Sequence, residues 1–67
     1  MNWIPVSQLP YTTGEVLVTL ALGHNVHLVD IVTYDKKRNT FTWYKPYRRD
    51  VTEKVLAWMP VPKPYEK

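Results

Sequence analysis

The stretch with most chemical potential is Trp43-Tyr-Lys-Pro-Tyr-Arg-Arg49. Its cations, Lys45, Arg48 and Arg49, attract carboxylates or phosphates. Its rings, Tyr44 and Tyr47, can stack on bases or on guanidinium planes. The mixture suits an interface, because aromatic and arginine side chains are enriched at the centres of protein contacts. It also suits small β-sheet proteins that bind nucleic acid. Equally, a loop can pack tyrosines on a core and leave its charges in water. The residues taken as a candidate binding set are Tyr44, Lys45, Tyr47, Arg48 and Arg49.

Catalytic chemistry is poorly provided for. Ser7 is the only serine and lies in a proline-punctuated segment. Asp30, Asp35 and Asp50 are scattered, so no paired acid and base suggests itself. Two glycines, Gly14 and Gly23, are too few for a phosphate-binding loop. The absence of cysteine removes disulfides and thiolate metal sites. His24 and His27 are three apart, a spacing that strand alternation puts on opposite faces. The expectation is a protein that is not an enzyme and needs no cofactor or metal.

A core must position the loop. The chain has 67 residues, enough for a single domain over 1–67 with a thin core. Three tryptophans, five tyrosines and one phenylalanine are available to thicken it. Nine basic and six acidic residues give a net charge of +3, a mild excess that does not by itself imply a nucleic-acid partner. No apolar run reaches the ~20 residues of a membrane span. Met1-Asn-Trp-Ile-Pro5 lacks a signal-like basic region and apolar core. A soluble protein of the cytoplasm, without a membrane partner, is expected.

Residues 14–34 organise the fold. Glu15-Val-Leu-Val-Thr-Leu-Ala21 and Val26-His-Leu-Val-Asp-Ile-Val-Thr-Tyr34 are strand-like runs, with Leu22, Gly23, His24 and Asn25 between them as a turn. Val16, Val18 and Leu20 share one face of the first run, and Leu17, Thr19 and Ala21 share the other. Both faces are apolar enough to predict a central strand covered on both sides. Asp30 interrupts an apolar face and predicts a local solvent-exposed bend. Asp35-Lys-Lys-Arg-Asn39 reads as a charged turn into a strand at Thr40-Phe-Thr-Trp-Tyr44. Val51-Thr-Glu-Lys-Val-Leu56 suits either a helical turn capped by Thr52 or a strand, and a strand from Lys54 to Trp58 is preferred.

Prolines mark the flanks. Pro5 and Pro10 predict an extended arm over 1–13, and Pro60, Pro62 and Pro64 a polyproline-like tail over 60–67. The expected fold is mainly β: a small antiparallel sheet or half-barrel of three to four strands, its open ends covered by the Trp-Pro segments. Val16, Val18, Leu28, Phe41 and Trp58 are the expected core.

The two ends carry a further signal. Trp3-Ile4-Pro5-Val6, Leu9-Pro10, Gly14-Glu15 and Val16-Leu17-Val18 are followed far downstream by Ala57-Trp58-Met59-Pro60-Val61-Pro62-Lys63-Pro64-Tyr65. This pattern resembles the family called domain of unknown function 551, small proteins of phages and prophages. Its members open Trp-Ile-x-Val and close on Trp-Met-Pro with alternating prolines. Here Val61 and Lys63 replace the usual Leu and Glu. The resemblance implies a phage or prophage origin and an intracellular setting, and it supplies no catalytic residues. Together with the loop, it predicts a small accessory protein that binds a host or phage protein, as a modulator or inhibitor. A weak nucleic-acid binder, and a homo-oligomer joined through strand edges, are the alternatives.

Overall fold

A computed structural model describes residues 2–44 and 47–62. The described residues form six strands: β1 (Ile4–Pro5), β2 (Gly14–Gly23), β3 (Val26–Asp35), β4 (Thr40–Trp43), β5 (Arg49–Asp50) and β6 (Val55–Pro60). They make one open antiparallel sheet in the order β1-β6-β2-β3-β4-β5. The expected three to four strands are therefore six. The added ones, β1 and β5, are two residues each, too short to carry an alternation signal.

The long hairpin arises as its sequence suggests. β-Branched residues alternate along β2 and β3, and His24 and Asn25 form the turn. Asn25 takes a left-handed φ of 59°, which asparagine tolerates better than other non-glycine residues. The register slips between Ala21 and Gly23, so Leu22 is an extra residue that bulges near the tip. At the next turn the Asp35 carboxylate accepts from the backbone N–H groups of Lys37 (2.9 Å) and Arg38 (3.3 Å). Asn39 closes that turn at φ 54°, and the Tyr34 hydroxyl donates to its Oδ1 at 2.8 Å.

One short connection shapes the sheet. β5 lies at one edge, whereas β6 is second from the other. Four strand spacings in a flat sheet amount to about 19 Å. Val51 and the 3-10 turn Thr52–Lys54 must bridge them, and at ~2 Å of rise per residue they reach only about half as far. The sheet has to coil. Its concave face holds Val16, Val18, Leu20, Val32, Tyr34, Phe41, Val51, Val55 and Trp58, all buried. Val51 plugs the seam, its N–H donating to the Phe41 carbonyl at 2.9 Å. The Thr52 side chain does not cap the turn. Instead its hydroxyl accepts from the Phe41 N–H at 2.8 Å and donates to Asp50 Oδ1 at 2.6 Å.

Other expectations need correcting. β2 is central, between β6 and β3, but only one of its faces is covered: Leu17, Thr19 and Ala21 on the other are half-buried. Leu28 is half-buried rather than in the core, because it pairs with Leu20 at the level where β6 begins, and β4 lies further along β3. The arm is not simply extended. Ile4 and Pro5 pair with Trp58 and Ala57, then the chain turns, with the Gln8 N–H bonded to the Pro5 carbonyl at 2.9 Å. Proline is tolerated in β1 because this strand is an edge. The Trp58 indole N–H donates to the Gln8 carbonyl at 2.6 Å, tying the arm to the core. Pro60 belongs to β6, and of the expected tail 60–67 residues 63–67 lie outside the described residues.

Candidate binding surface

The basic–aromatic stretch forms the β4–β5 connection. Phe41 and Trp43 both project to the concave side of β4, Phe41 deep in the core and Trp43 against its rim. The Trp43 indole N–H donates to Asp30 Oδ2 at 2.9 Å, and Asp30 Oδ1 accepts from the Ile31 N–H at 2.7 Å. A hydrogen bond to an ionised group contributes about 1.5–3 kcal/mol, so Asp30 fixes the end of β4 firmly. The expected solvent-exposed bend at Asp30 is absent. The residue lies inside β3, half-buried on the core side, and its charge is accommodated by two donors. An aspartate in mid-strand together with an indole thirteen residues on is the signal that could have revealed this.

Beyond Trp43 the described side chains of the connection are exposed. Tyr44 and Tyr47 are 53% and 63% exposed. Arg48 and Arg49 are exposed as well. Lys45, also in the predicted set, lies outside the described residues. Arg49 pairs with Trp43 and therefore shares its side of the sheet. No acidic side chain neutralises either arginine among the described residues; the ion pair found there joins Arg38 and Asp35 at 4.0 Å. The adjacent Asp50 is turned to Thr52, accepting from its hydroxyl and its N–H (2.6 and 2.9 Å). The hydroxyl bond chiefly, then the N–H bond, lowers the Asp50 pKa below its ordinary value of 3.8. Of the five predicted residues, Tyr44, Tyr47, Arg48 and Arg49 are thus all exposed, and no described acid pairs with the arginines.

The two histidines do not join a ligand cluster among the described residues. His24 is in the hairpin turn and His27 in β3, both exposed. No group of three metal-ligating side chains occurs among the described residues. No described helix is long and apolar enough to cross a membrane. Two features escaped the sequence reading: the outer sheet face, where Val29 and Ile31 are exposed, and a cavity of about 230 Å³ at the end of β4. That cavity is lined by Glu15, Asp30, Trp43 and Tyr44, among others, which come from three separate stretches of the chain.

No family model, curated protein or solved structure matches the chain.

Proposed function

We propose that this chain is a small binding module whose β4–β5 connection contacts an acidic surface of a protein partner. The observation that carries the reading is the exposure of Tyr44, Tyr47, Arg48 and Arg49 together, beside an anchored Trp43, with no described acid neutralising the arginines. Arginine forks suit carboxylates, and tyrosine rings add apolar area at low entropic cost. The motif resemblance at Trp3–Val18 and Ala57–Tyr65 supports the further proposal of a phage or prophage accessory protein acting in the host cytoplasm. Modulation of a host protein is the role that fits a module of this size with no catalytic constellation among its described residues.

Capture from host lysate on immobilised wild type and on the Arg48→Ala/Arg49→Ala variant tests the reading. The expected result is a protein retained by the wild type and lost from the variant, with circular dichroism unchanged. Retention of the same proteins by both would refute it. Retention of nucleic acid alone would move the reading to the nucleic-acid alternative.

A further inference from the structure

β3 is ten residues long, but β4 covers only part of its outer edge, pairing with Thr33, Tyr34 and Asp35. The hydrogen bonds of Phe41 fix the direction of the uncovered backbone groups. The Phe41 carbonyl bonds to Val51 and its N–H to Thr52, both away from β3. Tyr34, opposite Phe41, must then direct its own groups to β2. By antiparallel alternation Thr33 and Asp35 direct theirs to β4. Ile31, Val29 and His27 follow in step, so their N–H and C=O groups face the uncovered edge. The Ile31 N–H agrees: it is taken by the neighbouring Asp30 carboxylate rather than by a strand. No described residue pairs with this edge.

An open edge with apolar side chains is a template for another strand. Val26, Val29 and Ile31 are 52%, 55% and 43% exposed along it. Where β4 stops, the edge runs into the 230 Å³ cavity that carries Glu15, Asp30, Trp43 and Tyr44. We propose that this edge, residues 27–31, receives an extended basic peptide segment as an added strand, with a lysine or arginine of that segment in the Glu15–Asp30 cavity. Charge decides the occupant. A second copy paired antiparallel through its own β3 would bring two Asp30 carboxylates into one ladder without a cation. Inward-pointing charges of this sort guard edges against self-pairing. A basic segment removes the conflict. Its backbone carbonyl replaces Asp30 Oδ1 at the Ile31 N–H, and the released oxygen accepts the cation beside the Trp43 and Tyr44 rings. The site adjoins the Arg48–Arg49 surface, with Tyr44 common to both, and is of opposite sign.

The test is a titration of the full ¹⁵N-labelled chain with three capped peptides. The first is Thr-Thr-Val-Lys-Val-Thr-Thr, the second carries Glu for Lys, and the third is the lysine peptide with alternate amides N-methylated. The lysine peptide should shift the amides of His27, Val29 and Ile31 and bind about tenfold more tightly than the glutamate peptide, since like charges repel at an interface. N-methylation should abolish binding, and Glu15→Gln should narrow the Lys/Glu preference about two- to threefold, the effect of one exposed charge. Arg48→Ala/Arg49→Ala removes cations beside the site, so it should keep the shifts at 27–31 and bind the lysine peptide no more weakly, whereas the acidic-partner reading requires those arginines. Failure of one is therefore distinguishable from failure of the other. Equal affinities for the two charged peptides, shifts confined to other strands, or no binding by any peptide would overturn the proposal. So would dilution-dependent shifts at 27–31 without peptide, which would give the edge to a second copy.

Discussion

Thr52 uses its hydroxyl twice, and two elements depend on it. It satisfies the Phe41 N–H, which has no strand partner, and it holds Asp50 in place. Thr52→Val keeps the shape and removes both bonds. The expected loss is about 1–3 kcal/mol, that of leaving a half-buried donor unsatisfied, read from urea denaturation. Asp50 supplies a pH signature. Its pKa is lowered in the folded state, so below pH 3.8 the unfolded chain takes up the proton first. The contribution is complete above that pH and is lost as pH falls through the folded value. Wild-type stability should therefore drop more steeply below pH 3.8 than that of Asp50→Asn, which thermal melts across an acid series would show. Trp58 is the heavier residue: it is buried and bonded to Gln8. Trp58→Ala should cost about 3–5 kcal/mol, close to the whole stability of so small a domain. An unchanged melting temperature would contradict its place in the core.

At the scale of elements, the β2–β3 hairpin and the Phe41–Trp43 strand were legible because each is long enough to alternate. Alternation placed Val16, Val18 and Phe41 in the core, and the position of Trp58 between a strand and the prolines placed it there too. It misjudged Leu28 and the second face of β2, because burial there depends on where neighbouring strands stop. Val51 and Val55 were harder to see: they reach the core through a 3-10 turn that no periodicity announces. The Asp35 to Asn39 turn, by contrast, was readable from its residue types. Asn39→Ala should test its contribution. The left-handed conformation becomes costly without the asparagine side chain, and the Tyr34 hydroxyl loses its acceptor. A loss of about 1–2 kcal/mol is expected from the backbone alone. No change in the urea midpoint would mean that the turn shifts to another conformation at no cost.

At the scale of the molecule, Trp43 links the exposed Arg49, with which it pairs, to the cavity that it lines with Glu15 and Asp30. The basic stretch was visible in the sequence because Tyr44, Tyr47, Arg48 and Arg49 are close together there. The acidic cavity was not, since Glu15, Asp30 and Trp43 come from three strands and meet only once the register is set. The neutral alternative for the basic surface, a loop whose charges simply face water, predicts that removing two arginines changes nothing but net charge. The deciding measurement is a titration of the captured partner against wild type and Arg48→Ala/Arg49→Ala, at low and high salt. The binding account predicts wild-type affinity that falls with salt, because exposed charges are screened. It predicts a double variant weaker at low salt by about tenfold or more and nearly indifferent to salt. Equal affinities of the two proteins at both salt concentrations would contradict it.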